Sequence, residues 1–153
     1  MLIPDWLLQL LGAFGGAVGF ALLFNVQREQ LFWAGVGGLL GWAVYLVCGA
    51  VSESDAVRFF LASVCFTLYT EPMARVKGVP STVFLVPAAI PMVPGASLFR
   101  SMGFAVEGRW EAFSHQILYT MLLAIAIAGG IVCGMTLYHI LQKIRAGRRA
   151  YLS

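Results

Sequence analysis

Val79 to Met102 reads VPSTVFLVPAAIPMVPGASLFRSM, and this stretch is apolar enough to enter a membrane yet contains prolines at positions 80, 87, 91 and 94. Proline lacks a backbone N–H, clashes with the carbonyl four residues earlier and disfavours the α conformation in the residue before it. The spacing therefore predicts a broken helix. In a bilayer, broken backbone is tolerated only where protein buries it or where it lines a wet cavity, as at the substrate sites of transporters.

The composition of the whole chain is that of an integral membrane protein. Of its 153 residues, 60% are hydrophobic and 11% are charged, whereas soluble domains have about 25% charged residues. We predict one all-α domain, residues 1–142, followed by a basic cytoplasmic tail, residues 143–153. Apolar stretches, the third of which includes Arg58 and Glu71, indicate a bundle of about five transmembrane helices, the fourth of them proline-broken. They lie at about residues 6–24, 31–51, 56–74, 82–99 and 117–141.

The positions of lysine and arginine predict the orientation, because these residues collect on the cytoplasmic side. With the tail inside and five crossings, seven cations lie inside and three outside. Inside are Arg28, Arg75, Lys77, Lys143, Arg145, Arg148 and Arg149, and outside are Arg58, Arg100 and Arg109. If the fourth span were a re-entrant loop, the count would again be seven to three. Charge thus places the C-terminus in the cytoplasm, and only the length of the fourth span favours five crossings over four.

Glycines recur at helix-packing intervals in three of the spans. They are Gly12, Gly15, Gly16 and Gly19 in the first, Gly37 and Gly41 in the second, and Gly130 and Gly134 in the fifth. Small residues four apart let membrane helices approach closely. We expect these faces to pack in a bundle, formed within this chain or with a partner subunit.

No cofactor or metal site is expected. The three cysteines fall in three different spans, and His115 and His139 are separated by about 36 Å along one helix. Signatures of soluble enzymes such as GxSxG, GxxxxGK[ST] and HExxH are absent from the sequence. We therefore expect neither an enzyme nor a cytochrome-type anchor, and the net charge of +3, concentrated in the tail, does not indicate nucleic-acid binding.

The third span has a polar face made of Ser63, Thr67, Thr70 and Glu71, which lie at i, i+4, i+7 and i+8. Two interpretations of Glu71 stay open. It pairs with Arg75 at i+4 and marks the cytoplasmic interface, or it is a protonatable or gating group that faces a cavity.

The proline-rich segment itself predicts a site. Its prolines would leave the carbonyls of Val83, Pro87 and Ile90 without helical donors. After Pro94 and Gly95 the helix re-forms, with Ser97 as its cap and Arg100 one turn further on, and such an N-terminus attracts carboxylates. The alternative is a merely kinked span whose Arg100 extends to the outer interface.

Four stretches of the sequence together resemble those of a known family, the threonine/serine exporters. They are AVGFALLFNV at 17–26, TVF at 82–84, AIPMVPG at 89–95 and FRSM at 99–102. The chain is most similar to the short stand-alone subunits of that family, as in the two-component bacterial succinate exporter. The resemblance covers nearly the whole chain in order and length.

The resemblance implies a multi-pass subunit in the bacterial inner membrane that exports succinate-type dicarboxylates or threonine and serine together with a larger family partner. Association with further copies of itself is compatible with this arrangement, and the alternative is a holin-like or anchor subunit of another membrane complex. Asn25 matches a family motif but is also a common cap at the end of a helix. The residues expected to form the substrate path or gate are Pro87, Pro91, Pro94, Gly95, Ser97, Arg100, Glu71 and Asn25.

Overall fold

The computed structural model describes the backbone of residues 4–150 and the side chains of residues 4–145. Regular structure in this part of the chain is entirely helical, so the all-α fold class is confirmed. The helices are α1 (Asp5–Leu23), α2 (Arg28–Cys48), α3 (Asp55–Lys77), α4 (Thr82–Ala89), α5 (Gly95–Val106) and α6 (Trp110–Ala150), with a 3-10 turn (Ile90–Met92) between α4 and α5. The predicted domain and tail include residues 1–3 and 151–153, which lie outside the described residues.

The helices follow the predicted spans to within three residues at most ends, with two clear differences. Helix α5 ends at Val106, seven residues beyond the predicted 99, and the second difference is in α6. This helix begins seven residues before the expected start at 117 and continues into the predicted tail, since no proline interrupts it. In the described part of the chain, α1, α2 and α6 are each long and apolar enough to cross a membrane, and the bent pair α4 and α5 makes a fourth candidate. At 23 residues α3 is long enough but too polar to join them, so five crossings remain a prediction.

Helix α3 nevertheless lies in the centre of the bundle. Ser63, Thr67 and Thr70 of its predicted polar face are fully buried. The Thr67 hydroxyl donates to the Ser63 carbonyl at 2.7 Å, and the Thr70 hydroxyl donates to the Thr67 carbonyl at 3.2 Å. The helix's own carbonyls thus satisfy both threonines, while Ser63 Oγ has no hydrogen-bond partner among the described residues. These three residues pack against neighbouring helices, and Glu71 is half-buried.

Helices α3 and α6 run in the same direction. Near their starts, the Tyr119 hydroxyl donates to Asp55 Oδ2 at 2.5 Å, and near their ends the Arg75 guanidinium lies 5.8 Å from the centre of the Tyr138 ring. The chain leaves α3 at one end of the bundle and enters α6 at the other. The α4–α5 pair therefore carries the chain from one end of the bundle to the other.

Helix α2 runs antiparallel to α3, which gathers basic residues at one end of the bundle. The Lys77 ammonium lies 5.2 Å from the centre of the Trp33 ring, so the start of α2 at Arg28 lies beside the end of α3. The part of α6 that follows Tyr138 lies at the same end. We call this the basic end, and the end where α3 begins at Asp55 the opposite end.

The glycines of α2 and α6 pack within this chain, as predicted, whereas for α1 the prediction that its glycine face packs, in this chain or against a partner subunit, stays open. A Cβ at Gly37 would lie 3.0 Å from Ala88, and a Cβ at Gly134 would lie 2.8 Å from Thr67. The α1 glycines have no neighbour within 4 Å of an added Cβ among the described residues. Helix α1 packs instead through its buried alanines, one of which, Ala17, would lie 2.7 Å from a Cβ at Gly38.

Candidate functional site

The helix breaks after the 3-10 turn, and the two halves, Thr82–Met92 and Gly95–Val106, meet at an angle of 52°. Val93 is extended, with φ −60° and ψ 125°, as expected for a residue that precedes proline. Pro87 does not break the chain, because it lies inside α4. Pro91 packs beside Gly38, halfway along α2. The predicted break, with a helix that re-forms at Pro94 and Gly95, is thus confirmed, and it lies at mid-height of the bundle.

The predicted row of free carbonyls beside the break is wrong at two of its three positions. The Ile90 N–H donates to the Pro87 carbonyl, and the Val93 N–H donates to the Ile90 carbonyl at 3.1 Å. The chain tightens into a 3-10 turn before it breaks, and the i to i+3 bonds of this turn satisfy the acceptors that an α-helix would have left open.

Donors, by contrast, remain free on the other side of the break. The first helical bond of α5 runs from the Leu98 N–H to the Pro94 carbonyl at 3.0 Å. Among the described residues, the N–H groups of Ala96 and Ser97 have no such partner. Both residues line the cavity beside the break. The cavity thus receives the positive end of a twelve-residue helix, which favours an anion.

This cavity, which we call the break cavity, has a volume of about 290 Å³. It lies between the break and the facing sides of α2, α3 and α6. Its lining consists of Trp42, Tyr45, Asp55, Phe59, Pro91, Val93, Pro94, Gly95, Ala96, Ser97, Arg100, Gln116, Tyr119 and Leu123. Six of these fourteen residues are polar or charged, so the wall combines apolar surface with polar groups that can orient a small molecule.

Ser97 is tied to α6, so its predicted role as the cap of α5 is wrong. Gln116 Nε2 donates to Ser97 Oγ at 2.7 Å, Ser97 and Thr120 share a hydrogen bond of 2.7 Å, and the Thr120 hydroxyl donates to the Gln116 carbonyl at 2.8 Å. Because the one Thr120 proton is used on that carbonyl, Ser97 is the donor to Thr120. This ring of hydrogen bonds holds the start of α5 against α6.

Arg100 is the cation of the break cavity. In residues 4–145 the ion pairs are Arg58 with Asp55 at 3.3 Å and Arg109 with Glu107 at 3.4 Å. Arg100 takes part in neither of them and lies one turn into α5, exposed at the cavity wall. A guanidinium without a protein counter-ion, next to a helix N-terminus, is suited to bind a carboxylate.

Asp55 is a cavity residue that sequence reasoning missed. It begins α3, where an acidic side chain is favoured by the helix dipole. Its Oδ1 accepts bonds of 3.3 Å from both the Tyr45 hydroxyl and Arg58 Nη1, and its Oδ2 accepts from Tyr119. The carboxylate is therefore fixed by α2, α3 and α6 together. Its partners on α2 and α6 are distant in sequence, and no local pattern indicates that they meet.

Three of the predicted site residues lie outside the break cavity: Glu71, Pro87 and Asn25. Glu71 is near the basic end of α3, half-buried. Within residues 4–145 it forms no ion pair with Arg75, whose guanidinium lies over Tyr138 instead. Pro87 lines a separate groove between α4 and the end of α1. The structure thus brings together Pro91, Pro94, Gly95, Ser97 and Arg100 but not the other three.

Asn25 ends α1 in the left-handed conformation, with φ 55°. Its own N–H donates to the Leu22 carbonyl at 3.0 Å, and the Val26 N–H donates to the Ala21 carbonyl at 3.0 Å. This pair of bonds is the Schellman motif, in which asparagine and glycine are favoured. The capping interpretation of Asn25 is therefore confirmed, while a role in transport remains a prediction.

Substitutions of Asn25 separate these two roles. We expect Asn25→Gly to keep both stability and transport, since glycine adopts positive φ freely, and Asn25→Ala to lower the free energy of unfolding by about 1 kcal/mol. Denaturant unfolding of the purified protein in detergent measures the first quantity, and substrate efflux from cells measures the second. Loss of efflux in a fully stable Asn25→Gly variant would show that the side-chain amide acts in transport.

A comparison with known families matches residues 9–137 to the family described as Threonine/Serine exporter, ThrE. The match includes the break, the whole break cavity and most of the bundle. This chain belongs to the threonine/serine exporter family. No solved structure matches it.

Membership of the threonine/serine exporter family gives the break cavity a context. The family is one of membrane transporters, and the apolar helices described above agree with a membrane location.

Proposed function

We propose that this chain is the small membrane subunit of a two-component secondary exporter of small carboxylates, and that the substrate passes through the break cavity. The observation that carries the proposal is the convergence of Arg100 and the N-terminus of α5 on one cavity at the helix break. Arginines beside broken backbone in membrane proteins commonly mark substrate pathways. The substrates in question are threonine and serine or a succinate-type dicarboxylate.

A larger partner subunit of the same family is part of the proposal. In support of it, the glycine face of α1 is open, with no neighbour in the described chain within 4 Å of an added Cβ at Gly12, Gly15, Gly16 or Gly19. Small residues on a lipid-facing surface gain nothing from lipid but allow another helix to approach closely. A second subunit would also complete the wall of the break cavity that this chain leaves open.

The orientation follows from the distribution of charge in the fold. The basic end carries Arg28, Arg75, Lys77, Lys143 and Arg145, whereas Arg58, Arg100 and Arg109 belong to the half of the bundle toward the opposite end. We therefore propose that the basic end and the C-terminus lie in the cytoplasm and that the membrane is a bacterial inner membrane, since cations are favoured on the cytoplasmic side. The parallel course of α3 and α6 supports five crossings, with the α4–α5 pair as one of them.

Efflux from cells that lack their own exporters of these substrates tests the proposed function. We expect efflux of threonine, serine or succinate when this chain is produced together with the larger family subunit, and only background efflux with either subunit alone. The measurement is the external concentration of each solute after loading. Both subunits must be shown to reach the membrane, by detecting an epitope tag on each of them.

Two results would argue against the proposal. Efflux by this chain alone would show that transport does not require the partner subunit. Absence of efflux of all three solutes, with both subunits present in the membrane, would contradict the exporter role. The second result would favour a structural or anchor role in another membrane complex.

A further inference from the structure

We infer that the Tyr119 hydroxyl and the Asp55 carboxylate form the latch of a gate, which closes the break cavity toward the opposite end of the bundle and opens when α6 moves away from α3. The inference rests on the proposed function, because a gate matters only if a solute passes through this cavity. It follows from the layered wall of the cavity and from the way in which α6 is attached to the other helices.

The wall that α2, α3 and α6 give the break cavity has two layers, an outer one toward the opposite end and an inner one deeper in the bundle. The outer layer is Tyr45, Asp55 and Tyr119, and the inner layer is Trp42, Phe59 and Leu123. Each inner residue is three or four positions from the outer residue of its own helix, which places the two on one helical face. The same pairing thus occurs on all three helices.

Exposure to solvent changes sharply between these two layers. The Asp55 side chain and Tyr119 are each 36% exposed, whereas Phe59 and Leu123 are 8% and 3% exposed. At this boundary the Tyr119 hydroxyl donates to Asp55 Oδ2 at 2.5 Å and joins α6 to α3. A solute that leaves the cavity between these helices, toward the opposite end, would have to break this bond.

Asp55 is fixed firmly to the hairpin of α2 and α3. Its Oδ1 accepts bonds of 3.3 Å from the Tyr45 hydroxyl and from Arg58 Nη1. Arg58 is itself held by the Ser52 carbonyl, to which its Nε donates at 2.7 Å. Among the described residues, Tyr119 is the hydrogen-bond partner of Asp55 on α6. Tyr119 is therefore the part of the latch that can move while Asp55 stays in place.

Helices α3 and α6 are in much closer contact deeper in the bundle. An added Cβ at Gly130 would lie 2.5 Å from the Phe60 carbonyl oxygen, so α6 touches the backbone of α3 there. Gly130 is about 16 Å along α6 from Tyr119. Helix α6 can therefore pivot about this contact, which separates Tyr119 from Asp55 while the basic end stays closed.

Helix α5 would move together with α6. The start of α5 is tied to α6 through Ser97, which has hydrogen bonds of 2.7 Å with both Gln116 and Thr120. Arg100 lies one turn further along α5 and lines the same cavity. Opening the latch would therefore carry Arg100 away from the hairpin of α2 and α3 and widen the cavity between them.

Accessibility of a buried cysteine tests the gate directly. The reporter is Leu123→Cys, one turn below the latch, with the three native cysteines replaced by serine and the larger subunit present. A membrane-impermeant maleimide is applied to cells and to inside-out vesicles, and the labelling rate of this chain is measured. We expect Tyr119→Phe to raise this rate roughly two- to tenfold, the effect of losing one hydrogen bond on an equilibrium. The increase should occur from one side of the membrane only, the outer side in the proposed orientation.

Tyr138→Phe is the matched control, because it removes the hydroxyl of another α6 tyrosine, one that lies at the basic end and outside the break cavity. Labelling of the reporter from the outer side should stay at the starting rate in this variant. If Tyr119→Phe does not reach the membrane, Asp55→Ala removes the same bond from the α3 side and should also raise the rate.

Two results would overturn the inference. An unchanged rate in Tyr119→Phe would mean that the bond does not hold the cavity closed, and equal increases from both sides would mean that the whole bundle has loosened. Labelling does not depend on transport, so failure of the proposed function looks different. In that case the latch variants would change the labelling rate as expected, but Arg100→Gln would leave efflux unchanged.

Discussion

Replacing Arg100 by glutamine should lower substrate efflux by roughly 10- to 100-fold, whichever of the candidate carboxylates is exported. A hydrogen bond to a charged group contributes about 1.5–3 kcal/mol, and about 1.4 kcal/mol corresponds to a factor of ten. Arg100 has no ion pair in residues 4–145 whose loss would disturb the fold. The effect should therefore appear in transport and not in the free energy of unfolding.

Two further substitutions make the Arg100 experiment specific. Arg100→Lys keeps the charge but loses the planar fork that binds both oxygens of a carboxylate, so we expect it to restore part of the efflux. Arg109→Gln removes another arginine toward the same end of the bundle, one that pairs with Glu107 and lies outside the break cavity. Efflux should stay at the wild-type level in this control.

Initial efflux rates at several internal substrate concentrations show which step is affected. A binding role for Arg100 predicts a raised half-saturating concentration in Arg100→Lys. Equal losses in Arg100→Gln and Arg109→Gln would instead indicate a general effect of positive charge near the outer interface. That outcome would contradict the proposal that the break cavity contains a carboxylate-binding site.

The break could be predicted from the sequence because its causes are local. Val93 and Pro94 determine the backbone conformation where α4 and α5 meet, whatever surrounds them. Asn25 is a similar case, since its left-handed conformation depends on the last turn of α1 alone. The interruption of the span and most helix ends could thus be predicted to within a few residues. The end of α5 and both ends of α6 could not, and they differ from the predicted positions by seven residues or more.

Ser97 and Arg100 of the cavity wall were predicted, but the polar groups that α3 and α6 contribute could not be, because they depend on which helices lie side by side. Asp55, Gln116 and Tyr119 have no motif that connects them, and they meet only because α3 and α6 run parallel. Ser97 illustrates the same limit. Its position near the start of α5 favours a capping role, but α6 provides Gln116 and Thr120 as better partners.

The glycines show where a sequence pattern is informative and where it is ambiguous. The same small-residue spacing occurs in α1 and α6, but Gly130 of α6 packs against α3 while Gly12 of α1 has an open surface. Spacing predicts that a helix can be approached closely. It does not say whether the approaching helix belongs to the same chain, and this is why α1 remains available to a partner subunit.

Gly130→Ala should be among the most destabilising single-methyl additions in the described chain. A Cβ at this position would lie 2.5 Å from the carbonyl oxygen of Phe60 and 2.7 Å from the Cβ of Ser63. Neither atom is the end of a flexible side chain, so the methyl group fits only if α3 and α6 move apart. We expect a loss of about 1–3 kcal/mol in the free energy of unfolding, typical of an overpacked interface, measured by denaturant titration in detergent.

Gly129→Ala is the matched control for this measurement, because it adds the same methyl group one residue away on the same helix. Its Cβ would lie 3.8 Å from the Phe60 ring, which is ordinary van der Waals contact. Both substitutions gain the same helix propensity, roughly 1 kcal/mol, so the difference between them isolates the clash with α3. Equal stabilities would mean that α3 and α6 are not packed as closely as described. If Gly130→Ala is the less stable of the two, α6 has moved away from α3. This movement should also take Tyr119 away from Asp55 and lower efflux, although Gly130 itself does not line the break cavity.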